Sequence, residues 1–561
     1  MIVADQKRFR AYQNLIEELL SCEKGQEKDV LKSNQDLIDE ELIQILLSEA
    51  DKVSSQGNEF VSNLMLSIAV CIGEELDSIS STIDRKKIEN LDRQQKQNYL
   101  KFLLQILEVT AESQGRKESI YPMMMDNLDK LDSSFTEILR QWGVDVLSEN
   151  KSEDAESLAA ILVEFGNLIS QFHAGDKANN IEIAIVCHKM ALTVFERDKY
   201  PFDWSTTQNN LGTAFFYRIN GNRAANVEKA IAAYNEALKT LKQVPLPQQW
   251  VAIKYNLANA YRHRIRGERS ENLEQAIEAY TEALSGYTRD TSPLDWARIK
   301  NYLGNIYYER IKGDRGQNLE KAIEFYNAAL EVITARINPT EWATIQNNLG
   351  NAFRNRTKGN EAENLEQAIN VYKQALGVYT SNTYPEEWAM TQNNLGNAFR
   401  HRLYGDTAEN IEQAINAYRA ALQVITREAC AKEWAMTQNN LGNAYRNRIE
   451  GNQFENLERA IAAYNKALQV ITRETFPQQW ATIQNNLGHA YRSRIKGSQP
   501  ENIQQAMRAY KKALSVYNRR DFPQEWATTQ NYLHSVSYVK AQSNRPQSLK
   551  STICSNLLYQ Y

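Results

Sequence analysis

The chain has 561 residues, a formal net charge of -4, 42% hydrophobic residues and 24% charged residues, which suits a folded soluble protein rather than a disordered or collagen-like one. No apolar run approaches the roughly 18 residues of a membrane span, and the start lacks the basic-then-apolar order of a signal peptide. Cys22, Cys71, Cys187, Cys430 and Cys554 are scattered with no C-x-x-C pair, so a reducing, cytoplasmic location is expected instead of a disulfide framework.

Residues 1–150 carry no internal period. Amphipathic spacing predicts helices over roughly 6–21, 36–55, 58–76, 92–112 and 124–148, an N-terminal helical domain ended by the polar stretch Asn150, Lys151, Ser152 and Asp154. This domain could cap the remainder of the chain, dimerise, or fold across a groove. The head is acidic: residues 1–200 hold 22 Lys and Arg against 36 Asp and Glu, whereas residues 201–561 hold 43 against 33. That asymmetry fits an acidic partner for the basic part, contact between the two parts, or two differently solvated surfaces.

From residue 204 onward tryptophan recurs every 46 residues: Trp204, Trp250, Trp296, Trp342, Trp388, Trp434, Trp480 and Trp526. A fixed period of this length means stacked copies of one supersecondary unit, a solenoid in which each copy touches its neighbours. In the Trp342 copy, Trp342, Ile345, Leu349, Ala352 and Phe353 form one helical stripe. Gly359 is expected to stop that helix in the left-handed conformation, and Asn364 to N-cap the next, with Gln367 three residues on and Glu366 favouring the helix start. Leu365, Ala368, Ile369, Tyr372, Ala375, Leu376 and Tyr379 make the second apolar face, and Pro385 suits the first turn of the following helix. An eroded copy lies upstream, with Gly166, Gly175, Asn180, Ala184, Ala191 and Leu192 in register and Leu158 at the tryptophan position. The expected fold is therefore all-α: a solenoid over 158–540, of eight helix pairs and a final helix, preceded by the helical domain 1–150. Residues 541–561 are expected to form a partly disordered tail that could still dock as a short cap.

This pattern resembles the tetratricopeptide repeat. Leu349, Gly350 and Phe353 match its L-G-x-x-Y element, and Ala368, Tyr372 and Ala375 its A-x-x-x-F-x-x-A element. The long unit is similar to that of kinesin light chains, and more so to bacterial, notably cyanobacterial, arrays reading N-N-L-G-N-A-Y-R. A caspase-like CHAT protease domain often follows those arrays, but only about twenty residues follow Lys540 here. The resemblance implies a right-handed superhelix whose first helices line a concave groove, and a protein-binding role.

With the tryptophan at phase zero and 100° per residue, the side expected to face the groove carries positions five, nine and twelve. The fifth-position row includes Asn301, Asn347, Asn393, Asn439 and Asn485. The ninth includes Asn259, Asn305, Asn351, Asn397 and Asn443, with His489 next in line. The twelfth includes Arg262, Arg354, Arg400, Arg446 and Arg492. A flanking row, Asn256, Asn348, Asn394, Asn440 and Asn486 among it, matches the asparagine ladder with which O-GlcNAc transferase and kinesin light chain grip peptide main chain. An asparagine amide can pair with a peptide's C=O and N–H, and arginine adds charge-assisted bonds to carboxylate or phosphate. The asparagines could equally bridge adjacent helices. A further row, Arg218, Arg264, Arg310, Arg356, Arg402, Arg448 and Arg494, lies near the buried side and is expected to pair with the acidic start of a second helix. The tryptophans are expected to wedge between neighbouring repeats.

No phosphate-binding loop, H-E-x-x-H or G-x-S-x-G motif occurs. The adjacent Cys187 and His188 point about 100° apart on a helix and make a poor nucleophile–base pair. No catalysis, cofactor or metal is expected. The expected function is a scaffold or adaptor binding an extended, acidic or phosphorylated polypeptide. The alternatives are a regulatory or sensor subunit of a bacterial signalling or defence system whose acidic head masks the groove, and single-stranded nucleic-acid binding. The oligomeric state stays open.

Overall fold

The computed structural model describes residues 2–22, 26–39, 91–149, 152–241 and 247–543, with a few isolated positions between 42 and 72. Most of the helices expected over 36–55 and 58–76, and most of the tail, lie outside the described residues; at the start of the first, Gln35–Leu37 forms a short 3-10 turn followed by extended Ile38. Every regular element among the described residues is helical. Two compact units divide the chain: unit 1 comprises Met1–Ile299 and Arg310–Lys312, and unit 2 comprises Lys300–Glu309 and Gly313–Tyr561.

In unit 1 the head forms helices Ile2–Ser21, Glu27–Ser33, Arg93–Glu112, Lys117–Met125 and Ser133–Glu149. The single helix expected over 124–148 is broken, because Asp132 accepts a hydrogen bond from the Phe135 backbone N–H and starts a new helix there. Phe102, Leu103, Ile106, Phe135 and Leu139 bury against Leu162, Phe165 and Ile169 of the first hairpin, so this part of the head covers that hairpin's apolar face. Three hairpins follow: Ser152–Gln171 with Lys177–Val194, Pro201–Tyr217 with Arg223–Leu241, and Pro247–Arg262 with Arg269–Ala283. The first of them is the eroded copy.

Unit 2 holds Arg315–Leu330, then the hairpins Pro339–Arg354 with Glu361–Ala375, Pro385–His401 with Thr407–Val424, Ala431–Asn447 with Gln453–Ala467, and Pro477–Ser493 with Gln499–Leu514, and the last helix Pro523–Ser543. The division between the units falls inside helix Pro293–Glu309. Proline opens most first helices at the first turn, Pro385 among them, where its missing N–H and fixed φ cost nothing. Trp342 and Trp388 pack on the same small cluster, Ala343, Ala375 and Tyr379. Each tryptophan thus wedges between its own hairpin and the preceding one. Within each unit, successive first helices approach one another more closely than successive second helices do. Each stack therefore curves with its first helices on the inner side.

Two local expectations are corrected. The first helix ends at Arg354, and Gly359, at φ 78°, shapes the loop beyond it. Asn364 is not the N-cap. That role belongs to Asn360, whose side chain accepts from the Ala362 and Glu363 N–H groups, and to Asp314, Asp406 and Asn452 at the same register. Asn364 sits inside the helix, 4% exposed, where its Nδ2 donates to the Lys358 carbonyl at 2.8 Å and its Oδ1 accepts from Arg356 Nη1 at 3.3 Å. It fastens the loop to the hairpin. Asn364→Ala strips a buried carbonyl of its donor and is expected to cost about 2 kcal/mol, read as a lower urea unfolding midpoint.

Candidate functional site

The asparagine rows are bound into the fold. In unit 2, Nδ2 of Asn394 donates to Oδ1 of Asn347, Asn440 to Asn393, and Asn486 to Asn439, each at 3.1 Å. Asn256 and Asn209 repeat the bond in unit 1 at 2.9 Å. Each link runs from the flanking row of one first helix to the fifth-position row of the preceding one. Asn301 and Asn485 stand outside the ladder, with their buried Oδ1 atoms lacking a hydrogen bond. Tyr532 takes the place of the asparagine that would reach Asn485, and Asn348, which would reach Asn301, donates to Asn305 at 2.9 Å.

The ninth row closes each hairpin from within. The hydroxyls of Tyr280, Tyr326, Tyr372, Tyr418 and Tyr464 donate to Oδ1 of Asn259, Asn305, Asn351, Asn397 and Asn443, at 2.6–2.8 Å. His489 substitutes in the next hairpin, its Nδ1 lying 3.1 Å from the Tyr510 hydroxyl. Burial, with Arg446 and Arg492 nearby, pushes the His489 imidazole down to about 4, so it is neutral and can accept from that hydroxyl. The acceptors of the fifth and ninth rows are thus largely used up inside the protein.

The twelfth row differs. Arg354, Arg400 and Arg446 are part-buried and Arg492 is exposed, and none of the four belongs to a described ion pair. The Nε atoms of Arg354 and Arg400 are buried with no hydrogen-bond acceptor. Arg400 and Arg354 both act on Tyr418, and Arg446 and Arg400 on Tyr464, so arginines of successive hairpins share one neighbourhood. Their charge, after burial, also lowers His401. Arg262 and Asn259 belong to unit 1, apart from this column.

The other arginine row is structural. Arg356 grips Glu320 with Nε and Nη2, both at 2.7 Å. Arg402 grips Glu366, Arg448 grips Glu412 and Arg494 grips Glu458 in the same two-bond manner. In unit 1, Arg218, Arg264 and Arg310 hold Glu182, Glu228 and Glu274. Each glutamate lies in the second turn of the second helix of the preceding hairpin, so these forks clamp neighbours together. The hydrogen bonds from Arg356 hold the Glu320 carboxyl below the usual carboxylate range. A depressed carboxylate stabilises the fold above its unfolded-state value, and that contribution fades as pH falls through the folded-state value. Acidification below the ordinary carboxylate range is therefore expected to loosen the stack, and Glu320→Gln to cost about 1–2 kcal/mol at neutral pH while flattening that acid limb of a melting-temperature profile.

One row escaped the helical-wheel phase. Ile219, Ile265 and Ile311 in unit 1, and Leu403, Ile449 and Ile495 in unit 2, follow the clamping arginines and are exposed by 44–63%. The recurring Arg-Ile-x-Gly was the available sequence signal. Cys187 and His188 are both fully buried; burial pushes the thiol up and the imidazole down to about 4, which disfavours a thiolate–imidazolium pair. Among the described residues, no His, Cys, Asp and Glu group is placed to hold a metal ion, and no helix is long and apolar enough to cross a membrane.

Residues 342–382 and 434–471 match the tetratricopeptide repeat family model. No curated protein matches the chain. Among solved structures, it is similar to the C-terminal part of a TPR repeat-containing protein from Cytophaga hutchinsonii, at 16% identity over 57% of this chain and 98% of that one, with a TM-score of 0.34. It is also similar to a signal transduction ATPase with numerous domains from Pyrococcus horikoshii that carries a tetratricopeptide repeat sensor. There the identity is 15% and the TM-score 0.44, over 79% of this chain and 64% of that one, so this chain spans less than two thirds of that protein. The Rap conjugation gene regulator of plasmid pLS20, solved with the Phr* peptide, shows 14% identity over 69% of this chain and 97% of that one, with a TM-score of 0.34.

Proposed function

We propose, since two hairpins of unit 2 match the tetratricopeptide repeat model, a fold that supports protein-interaction scaffolds and sensors, that the first-helix face of unit 2 holds an extended acidic or phosphorylated polypeptide. The observation that carries this is the column Arg354, Arg400 and Arg446. Those guanidiniums lie within reach of one another's fields with no described carboxylate partner, and two of their Nε–H groups are buried without an acceptor. Like charges held together are unfavourable, and a buried donor without an acceptor is costly. An anion on the inner side relieves the repulsion. Spacing by one arginine per hairpin suits a chain running along the stack, not a single compact anion. The asparagines serve as the frame that holds these arginines in line.

The test is fluorescence anisotropy with a labelled peptide of alternating phosphoserine and glutamate, its serine–glutamine counterpart, and a labelled single-stranded oligonucleotide. The acidic peptide is expected to bind, more weakly as salt rises, and the neutral one to fail. Equal binding of both peptides would exclude recognition by charge. Tighter binding of the oligonucleotide, with a steep salt slope, would favour nucleic acid.

A further inference from the structure

From Tyr234 to Tyr510, each second helix buries a tyrosine at the same register position. Its ring lies against a small residue of the first helix, and in all but one hairpin, where Thr213 replaces it, its hydroxyl meets an asparagine or His489. The eroded hairpin Ser152–Gln171 with Lys177–Val194 has His188 there instead, 1% exposed. Gly166 still presses on that ring, since a Cβ would meet its Cε1 at 2.8 Å. The imidazole is shorter than a phenol, however, and no described hydrogen bond joins it to Asn167, where the hydroxyl would arrive.

A cavity of about 520 Å³ opens at this place, with His188, Asn167, Ile181 and Thr213 in its wall. Lys117 and Lys177 stand on it too, both exposed, and no carboxylate lines it. His188 Nδ1 is buried with no hydrogen-bond partner, which folded proteins rarely tolerate without a further ligand or an ordered water. Burial keeps the imidazole neutral, so it can meet a polar group of a ligand without adding charge. The volume falls among those of small-molecule sites and is too small for a folded partner.

We propose that this cavity binds a small organic anion, whose carboxylate or phosphate meets Lys117 and Lys177 and whose apolar body lies against Ile181, with His188 Nδ1 met by a polar group of the ligand or by a water enclosed with it. The substitution of histidine for the repeat's tyrosine makes the room. The site lies wholly in unit 1 and is independent of the arginine column.

Isothermal titration calorimetry of the full chain with phenyl phosphate, benzoate and, as a neutral control, benzyl alcohol tests this. At least one anion is expected to bind saturably at a single site, and benzyl alcohol not to; whichever anion binds tells phosphate from carboxylate. Lys117→Ala with Lys177→Ala is expected to weaken the anion about tenfold or more. His188→Tyr, which restores a hydroxyl opposite Asn167 and fills the wall, is expected to abolish binding and raise the melting temperature. Failure of both anions to bind at millimolar concentration would overturn the proposal. So would benzyl alcohol binding as tightly as the anions, or anion binding unchanged in a folded His188→Tyr chain. The lysines are on the surface, so their double variant decides the matter if His188→Tyr does not fold.

Discussion

Gly350→Ala is expected to lower the stability of unit 2 by about 3 kcal/mol. An added Cβ would lie 2.5 Å from Cε1 of Tyr372 and 2.8 Å from its Cδ1 and Cζ. That ring has no room to yield: it is fully buried, and its hydroxyl is held by Asn351. The two helices of the hairpin must separate, which also strains the tryptophan wedge and the Arg356–Glu320 clamp on either side. Gly396, Gly442 and Gly488 meet their tyrosines in the same way and are expected to respond alike. Urea unfolding measures the loss. Tyr372→Leu introduced with Gly350→Ala removes the ring edge, so the pair is expected to cost less than the sum of its members. A loss below about 1 kcal/mol for Gly350→Ala would mean that glycine does not set the approach of the two helices.

Replacing Arg354, Arg400 and Arg446 together with alanine is expected to weaken an acidic phosphopeptide about 100-fold or more, since each removes a charge-assisted contact of at least 1 kcal/mol. The melting temperature is expected to hold or rise, because three like charges without described carboxylate partners are removed from one another's fields. Arg356→Ala, two residues along the chain, should do the reverse. It breaks a two-bond ion pair and leaves Glu320 without its partner, so unit 2 loses stability while any peptide affinity persists in the folded fraction. Anisotropy and melting, measured on both variants, separate the two rows. An unchanged affinity in the triple variant would remove the arginine column as a binding surface.

Much of this architecture is legible in the 46-residue period. It locates the helix pairs, the proline at most first turns, the tryptophan wedge and the eroded first hairpin, because these depend on residues repeated at fixed spacing. The clamping role of the Arg356 row also follows from its phase near the buried side. What the phase of an isolated helix does not supply is which neighbour closes on a given face. Asn347 lies opposite the tryptophan, a position that suits a ligand contact, yet the next first helix brings Asn394 against it. Asn351 faces the inner side, but Tyr372 of its own hairpin reaches its oxygen. Glu366 has the charge that favours a helix start, while its partner is Arg402 in the following hairpin. The cap is easily misplaced because Asn364 recurs so strictly, and a buried asparagine tying down a loop recurs as strictly as a cap does.

The side-chain signals of the arginines test the division of labour between the two kinds of row most directly. With arginine and asparagine nitrogens labelled in the full chain, and signals assigned by single substitutions, an acidic phosphopeptide should shift the Nε–H resonances of Arg354 and Arg400 saturably. The Nδ2 resonances of Asn394 and Asn440, already committed to neighbouring helices, should stay where they are. Binding that moved the asparagine signals and left both arginines untouched would contradict this assignment.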